Sequence, residues 1–108
     1  MAPPRVHAGV DPTLPMDQQH SIVLQWERFH DPKPHTSGKI VVCGHTPQRN
    51  GTPRNYGHAI CIDTGAYDPN GWLTCLEVGT GRYWQANLQG ELRTGWVQDC
   101  LFAPEEEL

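Results

Sequence analysis

Residues 38–47 read GKIVVCGHTP. Ile40, Val41, Val42 and Cys43 form an unbroken apolar run, the pattern of a strand covered on both faces, whereas a strand with one wet side alternates. Gly44 and His45 stand where that strand should end. In covered sheets, ligands gather just past the carboxyl ends of the strands. A histidine at that place is therefore the first candidate for function, provided the rest of the chain brings it partners.

Beyond it lies GHTPQRNGTPRNYG, a polar loop of about a dozen residues, long enough to suspect a function. Residues 58–63 (HAICID) are apolar again and predict a second strand. Asn70-Gly71 is a type I′ hairpin signal, and WLTCLEV at 72–78 leaves it as a strand. In RYWQANL at 82–88, Trp84, Ala86 and Leu88 alternate with Tyr83, Gln85 and Asn87. Gln89-Gly90 turns the chain into ELRTGWV at 91–97, so the back half predicts a β-meander. The aromatics Trp72, Tyr83, Trp84 and Trp96 fall at strand spacing and are expected in the core. A sugar- or nucleic-acid-binding role for them is the more expensive explanation.

Working toward the start, residues 16–29 (MDQQHSIVLQWERF) are the one good helix candidate, with Ile22, Trp26 and Phe29 on one face at i, i+4 and i+7. HDPKPHTSG breaks it. Before it, AGVDPTLP is a loop, and residues 5–7 are a stub of strand carrying Val6 and His7. Two prolines precede the stub, and proline cannot donate to a ladder, so the chain reads as cut from a longer one.

Composition bounds the rest. At 108 residues the chain holds one small domain, and Leu, Ile, Val and Phe make up just under a fifth of it, so the core must be thin. The net charge of −4 opposes nonspecific nucleic-acid binding, since phosphate affinity comes from Lys and Arg releasing counterions. No stretch has the roughly 20 apolar residues of a membrane helix, and MAPPRVHAG lacks a signal-peptide core, so no membrane contact and a cytoplasmic location are expected. Cys43, Cys61, Cys75 and Cys100 show no CxxC pair and are expected to be buried reduced thiols. His20, His30 and His35 read as surface or helix-end residues, and His58 has no matched role.

Taken in order, VHAGVDPTLP, GHTP and IDTGAY…GWLTCLEV resemble the C-terminal half of calcineurin-like metallophosphoesterases, in the branch of the bacterial Ser/Thr phosphoprotein phosphatases. The resemblance covers residues 5–97, with 98–108 left as an acidic tail. It implies an α+β fold: one helix on a mainly antiparallel or mixed sheet, half of a four-layer αββα architecture. With the other sheet missing, a face of Val6, Val41 and Ile60 would be uncovered, favouring self-association or docking of an N-terminal half.

The resemblance also implies a hydrolase of phosphoproteins or small phosphoesters, with His7 and His45 ligating one of two divalent ions (Mn, Fe or Zn) and Arg28 as a candidate phosphate contact. Such an ion pair clamps a phosphate and activates a water. Asp63, Thr64 and Gly65 match a turn that lies beside the metals. The blocks GDxHG, GDxxDRG and GNHE are absent, so the 108-residue chain alone is expected to be inactive. Two alternatives remain: half of a dinucleoside polyphosphate hydrolase, and a non-catalytic binding module.

Overall fold

The computed structural model describes residues 5–102. The apolar runs become strands β1 (Val41–Cys43) and β3 (Ala59–Cys61), which pair in parallel with Val42 opposite Ile60 and Cys43 opposite Cys61. All six residues are buried, as an unbroken apolar run requires. Strand β2 (Arg54–Asn55), within the polar loop, pairs antiparallel on the far side of β3, giving the order β1-β3-β2. The stub at the start pairs with β1 through a bridge from Arg5 to Val42, and the Val6 amide donates to the Val42 carbonyl at 3.0 Å.

The back half is the expected meander: β4 (Leu73–Leu76), β5 (Arg82–Ala86) and β6 (Leu92–Trp96), all antiparallel. With the helix α1 (Ser21–Trp26) the class is α+β, one helix with two three-stranded sheets among the described residues. The core lies between the sheets, where Ile60, Tyr83 and Val97 cluster and Ile62, Leu76 and Cys100 pack against them. Tyr83 lies opposite Gly95, and a Cβ there would collide with the tyrosine ring, so the glycine makes room for this core residue.

A polar network fastens the meander to the first sheet. Thr64 hydroxyl contacts that of Thr74 at 2.6 Å. Gln85, 2% exposed, donates through Nε2 to the Gly51 carbonyl at 2.8 Å and to Thr74 Oγ1 at 2.9 Å, and accepts from Arg93 Nε. Arg93 also donates to the Gly51 carbonyl at 2.6 Å and lies over Trp72, 3.8 Å from its ring centroid. A thin apolar core is thus supplemented by buried hydrogen bonds, each of which is costly to leave unmade.

Several expectations are corrected. The helix does not run over 16–29. A 3₁₀ turn at Met16–Gln18 precedes the break at Gln19, and α1 is only six residues long. The reason is the Gln19 amide, which accepts from the Asp11 amide at 2.7 Å and donates to the Asp11 and Leu14 carbonyls at 2.8 Å each, bracing the preceding loop. The helix does not cover the sheet with the expected stripe either: Ile22 and Trp26 are exposed. Asn70-Gly71 is not a type I′ turn, since neither residue has positive φ. Glycine is required at 71 because a Cβ would strike the Gly65 carbonyl.

Val41 and Ile60 are buried within the chain, so the expected uncovered face is elsewhere. It is the outer face of the meander, where Leu73, Trp84, Leu92 and Trp96 are exposed and Arg82 lies over both indoles at 5.4 and 5.2 Å. Trp84 and Trp96 are therefore not core residues. His35, expected at the surface, is buried: Nε2 donates to the Leu14 carbonyl at 2.6 Å and Nδ1 accepts from the Ser37 amide at 3.1 Å. The packed chain continues past Val97 through a 3₁₀ turn (Val97–Cys100), a bridge from Leu101 to Asn55 and a ring contact of Phe102 with Tyr56. The acidic stretch 103–108 lies outside the described residues.

All four cysteines are free: two are buried, Cys100 is half-buried and Cys75 is exposed. Cys43 and Cys61 are buried side by side; hydrogen bonding to Cys61, then burial, pushes the Cys43 thiol well above the usual range. Cys75, against expectation, is exposed on the meander's outer face. Because the thiolate is the nucleophile, iodoacetamide at pH 8 should alkylate Cys75 first and leave Cys43 and Cys61 unmodified until denaturant is added. Peptide mass mapping checks this; early labelling of Cys43 would contradict the packing.

Candidate functional site

The end of β1 holds His45 by its backbone. Gly44 donates to the His7 carbonyl at 2.7 Å, and Thr46 donates to the Gly44 carbonyl at 2.8 Å, closing a tight turn in which His45 has φ 69°. A non-glycine residue in this left-handed region costs on the order of 1–3 kcal/mol and persists only where its surroundings enforce it. Here the enforcement comes from below. The Thr46 carbonyl accepts from Gln48 Nε2 at 2.7 Å and from Cys61 Sγ at 3.3 Å, and the Gln48 amide donates to the Asp63 carbonyl at 2.8 Å.

His7 arrives on the neighbouring stub, which is tied to the helix by the Ala8 amide donating to the Leu24 carbonyl at 2.8 Å. The result brings together the two residues that lie 38 positions apart in the sequence. The His7 and His45 ring centroids are 5.1 Å apart with planes inclined by 60°. Trp26 stands edge-on to His45 at 5.7 Å. His7 is exposed and His45 half-buried, and among the described residues neither imidazole has a hydrogen-bond partner.

The spacing of the ring centroids equals that of two imidazoles on one ion. Two imidazoles bound through nitrogens about 2.1 Å from one metal at a tetrahedral angle place their ring centroids roughly 5 Å apart. The carboxylate expected near them, Asp63, is engaged in its own turn and accepts from the Gly65 amide at 3.1 Å. Among the described residues no group of three or more His, Cys, Asp or Glu could hold a metal ion. Two imidazoles alone would leave most coordination positions of an ion to water.

Arg28 lies at the same end of the molecule. The Phe29 amide next to it donates to Thr46 Oγ1 at 2.9 Å, so the chain leaving α1 is fastened one residue past His45. Arg28 is exposed and borders a polar cleft of about 470 Å³, whose other lining residues include Arg49, Gly65, Tyr67 and Asn70. Reading the sequence singled out Arg28 but missed Arg49. The available signal was the length of the polar loop that carries it. His58 is not part of the site: its Nε2 meets the Pro32 carbonyl at 2.7 Å. No helix among the described residues is long and apolar enough to cross a membrane. Compared with known protein families, curated proteins and solved structures, the chain matches none.

Proposed function

We propose that this chain contributes two imidazole ligands, His7 and His45, to the metal centre of a phosphoric ester hydrolase resembling the Ser/Thr phosphoprotein phosphatases, the remaining ligands coming from polypeptide outside these 108 residues. The observation that carries the reading is the 5.1 Å approach of two uncommitted imidazoles at a strand end. Divalent ions (Mn, Fe or Zn) bound there supply charge neutralisation of the phosphate and an activated water. The protein's part is positioning: the turn at Gly44–Thr46 aims His45, the Gly44–His7 hydrogen bond couples the two ligands, and Arg28 offers a guanidinium for a phosphate oxygen. The same arrangement would serve half of a dinucleoside polyphosphate hydrolase.

The test has two arms. Titrating the chain with Zn²⁺ while following the imidazole resonances should move those of His7 and His45 together and spare His35 and His58. The chain alone with Mn²⁺ should not hydrolyse an aryl phosphate, because no bridging carboxylate holds a second ion at the spacing that in-line attack needs. Independent shifts of the two histidines would sink the shared-ion reading. Metal-dependent turnover by the chain alone would sink the account of missing ligands.

A second reading, a non-catalytic module that binds a partner or itself, is favoured by the meander's outer face. Leu92 is 81% exposed, Leu73 62%, and Trp84 and Trp96 41% each. Contiguous apolar surface of this kind favours association. Light scattering after size exclusion should show mass rising with concentration, and Leu92→Glu should restore the monomer. A monomer at all concentrations would remove the support for this reading.

A further inference from the structure

We infer that the cleft beside the histidine pair is a two-point anion clamp in which Arg28 and Arg49 together recognise a condensed phosphate, a ligand bearing two linked phosphoryl groups. The inference rests on the reading above for the choice of phosphate as the anion. The clamp itself needs no metal.

The two chain segments that carry the arginines are fastened to each other. Thr46 ties down the Arg28 segment through Phe29, and Arg49 follows three residues later on the same loop. Between them, Gln48 is buried, with its amide bound to the Asp63 carbonyl and its side chain bound to the Thr46 carbonyl. Arg28 and Arg49 are exposed, and neither guanidinium has a hydrogen-bond or ion-pair partner among the described residues. Two cations on opposite chain segments, uncommitted and bordering one concavity, are a recognition geometry for an anion with two charged centres.

The far wall is consistent with this. It carries one carboxylate, Asp68, whose Oδ1 accepts from the Asn70 amide at 2.8 Å, so positive charge exceeds negative in the cleft. Gly65 and Gly71 keep that wall at backbone depth, since Gly71 has no room for a Cβ. The exposed Tyr67 ring stands at the edge. The cleft's volume of about 470 Å³ is in the range of small-ligand sites and more than one phosphate group fills.

The experiment uses the purified chain in EDTA at low ionic strength, with calorimetric titration of inorganic pyrophosphate, orthophosphate and a di-aspartate peptide. Pyrophosphate should bind at least tenfold more tightly than orthophosphate and than the peptide. Arg49→Gln and Arg28→Gln should each weaken pyrophosphate about tenfold and narrow the preference, with thermal melts unchanged. Equal affinity for pyrophosphate and orthophosphate, an unaffected Arg49→Gln variant, or equally tight binding of the peptide would each overturn the clamp. Because the assay is metal-free, failure of the histidine titration with pyrophosphate binding intact would fault the metal centre alone, and the reverse result would fault the clamp alone.

Discussion

Replacing Gln85 by leucine is expected to destabilise the fold by about 2–4 kcal/mol, lowering the midpoint of thermal unfolding by roughly 10 °C or more for a domain of this size. Leucine is close in volume, so the change isolates the loss of hydrogen bonds. It removes the Gln85 bonds to the Gly51 carbonyl and Thr74 hydroxyl and leaves Arg93 Nε without its acceptor. The Gly51 carbonyl keeps its bond from Arg93, which limits the damage at that atom. A melting temperature of Gln85→Leu within 2 °C of the parent would mean that the network contributes little.

The second large effect is that of His45→Ala. In an assembly that supplies the remaining ligands, losing one ligand of a catalytic ion is expected to lower phosphatase turnover at least a hundredfold, because charge stabilisation and water activation are lost together. In the chain alone, Zn²⁺-induced shifts at His7 should require at least tenfold more metal. Backbone strain must be separated from ligand loss, since position 45 has φ 69°. Asparagine tolerates the left-handed region better than alanine. His45→Asn should therefore keep more stability than His45→Ala while losing metal response to the same degree, measured by melting and by the His7 resonance. Full metal response in either variant would remove His45 from the ligand set.

What the sequence disclosed depended on whether local pattern alone decided the outcome. The runs IVVC and AIC predict covered strands, and β1 and β3 lie there, although Ile40 falls ahead of β1 and is exposed. The meander followed from alternation and its Gly-containing turns, with Gly90 at φ 80° closing the β5–β6 connection. Alternation defines two faces but does not say which is covered. In β5 the inward set is Tyr83 and Gln85, selected by partners far away at Gly95 and Gly51, which left Trp84 outside. The helix was overread because its period ignored Gln19, whose amide closes a loop rather than a helical turn. The motifs single out His7 and His45, and the structure places their rings 5.1 Å apart, whereas no local pattern marks Arg49, which lines the cleft only in three dimensions.

The ties between the two sheets have a kinetic consequence. The meander closes through neighbouring strands and short turns, but Asn55 Nδ2 reaches the Val97 carbonyl across 42 residues and Gln85 reaches Gly51 across 34. The parallel pairing of β1 with β3 likewise requires the intervening loop to be closed first. Loop-closure entropy must be overcome before such distant contacts begin to stabilise the chain, and this slows folding. The meander should therefore gain protection against hydrogen exchange early in refolding. The turn that holds His45 rests on ties of intermediate span, such as the 15 residues between Thr46 and Cys61, and should gain protection after the meander.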